Sequence, residues 1–128
     1  MDCLEIAATK YTPAIAFDNK QHVLEILGKS YPENTVAFYE PVFTWLEEYL
    51  EQVEDNAITV NLEIIYFNSS SAKVLMDLFD TFEEAAEEGK HITINWIYDE
   101  ENESALEYGE EFQEDYEAVI FNLVKKTE

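Results

Sequence analysis

Hydrophobic positions along this chain recur with two periods, and the period changes several times between its two ends. Alternation at every second residue, or a short continuous apolar run, predicts strands over residues 12–17, 22–28, 57–67, 91–98 and 118–124. Spacing of three and four residues predicts helices over residues 39–53, 70–88 and, more weakly, 99–117. The predicted order of elements is therefore ββαβαβαβ.

Strand–helix–strand units with short connections favour a parallel sheet, because each crossover must return the chain to the same end of the sheet. We therefore expect a single α/β domain over residues 1–128, with a mixed, mostly parallel sheet and helices packed on it. Residues 57–67 alternate at first and then become continuously apolar, which predicts a central strand covered on both faces. Pro41 predicts that the first helix is kinked there or begins close to it.

The net charge of the chain limits the kinds of partner that it can bind. The chain has 29 acidic residues, seven Lys and no Arg, and its formal net charge is −22. Such a surface repels nucleic acid and anionic membranes, whose binding depends on clustered Lys and Arg, and it attracts cationic protein surfaces. A single cysteine, Cys3, and the lack of a basic region at the start favour a cytoplasmic protein, and no apolar run is long enough to span a bilayer.

Residues that carry enzyme chemistry do not form a recognisable constellation. His22 and His91 both begin predicted strands and lie far apart in sequence, and there is no HExxH, CxxC or Gly-rich phosphate loop. Residues 99–110 resemble a calcium loop only loosely, because Ser104 stands where the sharp turn requires Gly. We therefore expect a protein that is not an enzyme and has no cofactor and no metal site.

A run of polar residues, Asn68 to Ser71, joins the longest predicted strand to the second helix. The first N–H groups of a helix lack partners within the helix, so one interpretation is that Ser69 or Ser70 is a simple N-cap. The other is that a serine here carries a phosphate, whose charge is favourable at a helix N-terminus. Against a net charge of −22, one phosphate acts only locally, within a surface that a partner must desolvate.

The polar run is part of a longer set of motifs that resembles a known family. Residues 68–80, "NSSSAKVLMDLFD", are similar to the strand–turn–helix of anti-sigma-factor antagonist (STAS-like) domains, and the closer resemblance is to the SiaC-type regulatory phosphoproteins of bacteria. The resembling motifs cover nearly the whole chain and are "TPAI" from Thr12, "SYPEN" from Ser30, "NSSSAK" from Asn68, "MDLFD" from Met76, "WIYDEENE" from Trp96 and "EEFQED" from Glu110.

The resemblance implies a single STAS-like regulatory domain in a partner switch with a Ser/Thr kinase and a PP2C-type phosphatase. The unphosphorylated form is expected to bind and stimulate a diguanylate cyclase, which links the switch to cyclic-di-GMP and biofilm formation. The modified hydroxyl follows the Asn of the motif, which corresponds to Ser69, although Thr can stand at that position in the family. Two alternatives stay open: an anti-sigma factor antagonist that releases a sigma factor, and an acidic protein that mimics nucleic acid.

The partner surface is expected to lie beside the phosphorylated serine. On a helical wheel Met76 lies about 100° from the core residue Leu75 and shares a flank with Ala72. Met76 is therefore either a partner contact or a residue at the edge of the core. The predicted partner-binding residues are Asn68, Ser70, Ser71, Ala72, Lys73 and Met76.

Overall fold

The structure, a computed structural model, describes residues 1–126. Its six strands are β1 Leu4–Ile6, β2 Ala14–Asp18, β3 Val23–Ser30, β4 Ala57–Phe67, β5 His91–Asp99 and β6 Ile120–Lys126. Its three helices are α1 Thr35–Gln52, α2 Ser69–Glu87 and α3 Glu103–Asp115. The predicted α/β class is confirmed, and the short strand β1 is added to the predicted order.

The strands lie side by side in chain order within one sheet. Strands β1 and β2 pair antiparallel, as do β2 and β3, and the remaining neighbours from β3 to β6 pair parallel. The mixed, mostly parallel sheet predicted from the sequence is therefore confirmed. Right-handed crossovers between neighbours in chain order place every helix on the same face of the sheet.

The burial pattern of β4 shows that only one face of the sheet is covered. Ile58, Val60, Leu62 and Ile64 are buried against the helices, whereas the residues between them are partly exposed. The predicted coverage on both faces is therefore wrong. The continuous apolar run that suggested it comes from Ile65 and Tyr66, which are more than half exposed at the carboxyl end of the strand.

A polar row crosses the uncovered face. Asn122 donates to Asn95 at 3.0 Å, Asn95 donates to Asn61 at 2.9 Å, and Asn61 donates to Glu25 at 3.3 Å, each between side chains. The four residues are register partners on adjacent strands, from β3 to β6. Side-chain amides pair with each other across strands in this row, which suits a face in contact with solvent.

The buried residues of α3 are Ala105, Gly109 and Phe112, and two of these three are small. Gly109 on α3 lies so close to β5 that a Cβ there would come within 2.5 Å of the Trp96 ring. The Trp96 indole N–H donates to the carbonyl of Ala105 at 2.8 Å, so one large side chain anchors the helix. Within residues 1–126, no helix has the length and apolar content needed to cross a membrane.

Candidate functional site

The helix that follows β4 is capped by Asn68. Its side-chain oxygen accepts a hydrogen bond from the backbone N–H of Ser71 at 2.9 Å, and its own backbone is extended, with φ −89° and ψ 178°. The interpretation in which Ser69 or Ser70 caps the helix is therefore wrong, because Asn is as good a cap as Ser and precedes both. Ser69 and Ser70 become the first two residues of α2, and both are exposed.

Ser71 lies inside the protein. Its Oγ is 2.7 Å from the Oγ of Ser30, which is 2.6 Å from the hydroxyl of Tyr39, so three hydroxyl groups form a continuous buried chain. The relative exposures of Ser71, Ser30 and Tyr39 are 0%, 1% and 2%. Burial raises the pKa of Tyr39, so its hydroxyl keeps its proton. The prediction that Ser71 contacts a partner is therefore corrected: its hydroxyl joins α2 to β3 and α1.

A backbone contact holds the capping residue in the same place. The N–H of Asn68 donates to the carbonyl of Ser30, the last residue of β3, at 3.2 Å. Ser30 therefore holds the start of α2 twice, through its carbonyl and through its hydroxyl. The backbone that carries Ser69 is fixed from the sheet side, while the Ser69 side chain faces solvent.

The other predicted contact residues lie along one side of α2. Lys73 and Met76 are exposed, the latter with 48% of its surface accessible, and Ala72 is partly buried. Met76 is therefore a surface residue of this chain, not a residue at the edge of the core. Lys73 pairs with Asp77 at 3.6 Å, an exposed pair that contributes little to stability.

Three tyrosines at the same end of the sheet were not singled out by the sequence. The rings of Tyr11 and Tyr31 meet edge to face with centroids 5.4 Å apart, and those of Tyr31 and Tyr66 do so at 5.6 Å. Tyr31 follows β3 directly, and Tyr66 is the second-last residue of β4. Because the carboxyl ends of parallel strands meet at one edge of a sheet, the positions of these two rings could have been predicted from the sequence. The position of Tyr11, in a loop, could not.

Both histidines lie at the other end of the parallel strands. His22 precedes β3, where its Nδ1 lies 2.6 Å from the hydroxyl of Tyr49, and His91 begins β5. Within residues 1–126, no group of His, Cys, Asp and Glu is arranged to hold a metal ion. What the serine turn offers chemically is an exposed hydroxyl, on Ser69, at a helix N-terminus that favours a negative group.

Comparison with known proteins finds one family and several similar chains. The model of the SiaC family of regulatory phosphoproteins matches residues 6–126. An uncharacterised protein of Pseudomonas aeruginosa strain UCBPP-PA14 is 38% identical over 115 residues, which are 90% of each chain. The matched stretches include the serine turn and both elements that it connects.

Two solved structures from Pseudomonas aeruginosa share the fold. One contains the diguanylate cyclase SiaD in complex with its activator SiaC; the similarity has a TM-score of 0.90 and 36% identity, and covers 96% of this chain and 99% of that chain. The other is SiaC itself, with a TM-score of 0.87 and 34% identity over 100% of both chains. The whole α/β arrangement described above is therefore shared with them.

Proposed function

The chain belongs to the SiaC family of regulatory phosphoproteins, and from this membership we propose that it is a partner-switch protein controlled by phosphorylation. The unphosphorylated form binds and stimulates a diguanylate cyclase. Phosphorylation of Ser69 blocks that binding. A Ser/Thr kinase adds the phosphate in the cytoplasm, and a PP2C-type phosphatase removes it.

The observation that carries the cyclase target is the similarity to a SiaC chain that is the activator of the cyclase in a solved complex. It extends over nearly the full length of both chains, so the surfaces beside the serine turn have counterparts in that activator. The similarity favours a cyclase switch over the release of a sigma factor or the mimicry of nucleic acid.

The position of Ser69 supports its assignment as the phosphorylated residue. It follows the capping Asn68 directly, its side chain is exposed, and its backbone is held by the bond from Asn68 to Ser30. The positive end of the α2 dipole stabilises a phosphate at this point. Ser71, by contrast, is buried and already bonded, so a kinase has no access to it in the folded protein.

The block to binding follows from desolvation. A phosphate carries about −1.5 to −2 charge near neutral pH, and a partner that covers it must remove its water. An uncompensated buried charge costs several kcal/mol, so a loss of affinity of about 100-fold or more is expected. Lys73, one turn along α2, is exposed and already paired with Asp77, so it offsets little of this cost.

A titration of the cyclase with unmodified and phosphorylated protein at equal ionic strength tests the proposal. We expect the phosphorylated form to bind at least about 100-fold more weakly and to lose stimulation of cyclase activity. The Ser69→Ala protein, incubated with kinase and ATP, is the matched control and should bind like unmodified protein. Equal affinities of the two forms would rule out the mechanism, and no binding by either form would rule out the target.

A further inference from the structure

Acidic residues are unevenly distributed over this chain. Although 29 of its 128 residues are Asp or Glu, several segments of six or more residues contain none, and four of these are residues 6–17, 26–32, 34–39 and 64–76. Other segments without an acid, such as residues 56–62 and 89–98, lie mainly in strands β4 and β5.

Hydrogen bonds bring the four acid-free segments together at one end of the sheet. Tyr31 donates its N–H to the carbonyl of Tyr11 at 2.8 Å, which joins the first segment to the second. The second contains Ser30, which contacts Tyr39 of the third and both Asn68 and Ser71 of the fourth. The serine turn therefore lies where these segments meet.

The surface of these segments is aromatic. Tyr11 and Tyr66 are 52% and 54% exposed, and Tyr31 lies between them with edge-to-face contacts to both. We call these three residues the tyrosine patch. Exposed tyrosines are frequent energetic centres of protein interfaces, because they give a large contact area with few rotatable bonds.

Lysines accompany the tyrosine patch. The Lys10 ammonium lies 5.9 Å from the centroid of the Tyr11 ring, and Lys29 is the register partner of Tyr66 on the neighbouring strand. Glu33 separates the second segment from the third, and Glu101 and Glu103 flank Asn102, whose side chain donates to the carbonyl of Ile65 at 3.2 Å. The phosphate on Ser69 would therefore be added where segments that contain Lys10, Lys29 and Lys73 but no acid meet.

We propose that the tyrosine patch is the docking surface for the diguanylate cyclase, and that the matching surface of the cyclase is apolar and not basic. The inference rests on the proposed function. A basic surface would be attracted to the acidic remainder of the chain and would pair with a phosphate on Ser69, so phosphorylation would strengthen the complex. An apolar surface is instead excluded by the phosphate, because it offers no partner for the charge.

The first test compares two exposed residues at opposite ends of the sheet. Tyr66→Ala removes a ring from the patch, and Ile120→Ala is the control, since Ile120 is 61% exposed and begins β6. We expect Tyr66→Ala to weaken cyclase binding about tenfold or more and Ile120→Ala to change it less than about twofold. Equal affinities for the two variants would overturn the docking surface.

The second test makes the same Lys→Glu substitution at two positions, one near the tyrosine patch and one far from it. Neither substitution removes a core residue or an aromatic ring. Lys29→Glu and Lys20→Glu both lower the net charge by two, but Lys20 lies in the turn between β2 and β3, at the other end of β3. We expect Lys29→Glu to weaken binding about tenfold and Lys20→Glu to leave it within about twofold, with little salt dependence for the unmodified protein. A basic cyclase surface would give tighter binding by both variants and a steep loss of affinity with salt, and would overturn the inference.

The wild-type chain separates the two proposals in the same titrations. If phosphorylation still blocks cyclase binding but Tyr66→Ala and Lys29→Glu bind with the wild-type affinity, the docking surface is overturned and the proposed function is not. Absence of binding by unmodified wild-type protein would overturn the proposed function and the docking surface with it.

Discussion

The side chain of Asn68 accepts a hydrogen bond from the backbone N–H of Ser71 at 2.9 Å and so occupies the capping position of α2. Three serines follow Asn68, and none of them caps the helix. Ser71 faces inward, and Ser69 and Ser70 face solvent. Because the cap is already provided, the Ser69 hydroxyl is available for modification at little structural cost.

The first prediction concerns which residue, Asn68 or Ser69, stabilises the start of α2. Asn68→Ala should lower the free energy of unfolding by about 1 kcal/mol, because it removes the partner of the Ser71 N–H. Ser69→Ala should change it by less than about 0.5 kcal/mol, since Ala is the better helix former at the first helical position. Chemical denaturation of both variants measures the difference, and an equal loss would show that Ser69 contributes to the cap.

Most of the fold could be predicted from the sequence because its helices and strands are long and have a regular hydrophobic period. Residues 57–67 were predicted as a strand and form β4, and residues 70–88 differ from α2 by one residue at each end. The strand Leu4–Ile6 was missed because three residues are too few to show a period. The cap was assigned wrongly because Asn and Ser have nearly equal preference for that position, and sequence does not distinguish adjacent candidates.

Contacts between distant segments explain what the sequence did not reveal about the site. The buried hydroxyl chain joins Ser30, Tyr39 and Ser71, which come from three different elements. Nothing in the local pattern of any one of them indicates the other two. Ser71 was predicted among the partner contacts, and only its hydroxyl contact with Ser30, which in turn contacts Tyr39, shows that it faces inward.

The second prediction concerns the position of the phosphate. After incubation with the cognate kinase, site mapping should find phosphate on Ser69, and the Ser69→Ala protein should accept none. Ser70→Ala is the matched control and should be phosphorylated like wild type, since Ser70 is equally exposed but does not follow the Asn. Thr81, whose hydroxyl donates to the Asp77 carbonyl at 2.9 Å, should stay unmodified. Phosphate found mainly on Ser70, Ser71 or Thr81 would remove the assignment.

The third prediction tests the buried hydroxyl chain. Ser71→Ala removes one member and leaves Ser30 with only Tyr39, so the free energy of unfolding should fall by about 1 kcal/mol. Ser70→Ala, one residue earlier and exposed, should change it by less than about 0.5 kcal/mol. Denaturant unfolding compares the two variants. Equal unfolding free energies for the two variants would mean that the buried hydroxyl chain contributes nothing measurable to stability.

The fourth prediction follows from a buried phenol far from the serine turn. Burial, with a smaller effect from the charge of Asp18, raises the pKa of Tyr49 to about 12, and its hydroxyl contacts Nδ1 of His22. Above pH 10 the unfolded chain loses this proton while the folded chain retains it. Stability should therefore be unaffected by this group below pH 10 and should fall as the pH rises toward 12.

Tyr49→Phe should reduce that alkaline loss, measured as the slope of unfolding free energy against pH. Part of the slope should remain, because burial also raises the pKa of Tyr39 and of Tyr116. Tyr108→Phe, at an exposed position, is the control and should keep the wild-type slope. A slope that Tyr49→Phe leaves unchanged would contradict the assigned role of this phenol.

The fifth prediction uses the stripe of α2 that begins at Ser69. Residues 69, 73 and 76 are spaced by four and three, so they lie on one side of the helix, and Met76 is roughly 10 Å along the axis from Ser69. Its side chain is 48% exposed, and thioether side chains adapt readily to a partner surface. A partner that covers Ser69 along this stripe also reaches Met76.

Met76→Glu should therefore weaken cyclase binding, because it buries a charge at the contact, while the unfolding free energy changes by less than about 0.5 kcal/mol. Met76→Leu keeps an apolar side chain of similar size and is the matched control, with affinity expected to stay near that of wild type. Titration and thermal unfolding of both variants measure the two effects separately. A large fall in melting temperature for Met76→Glu would show that Met76 supports the core, and an unchanged affinity would show that the partner does not cover this stripe of α2.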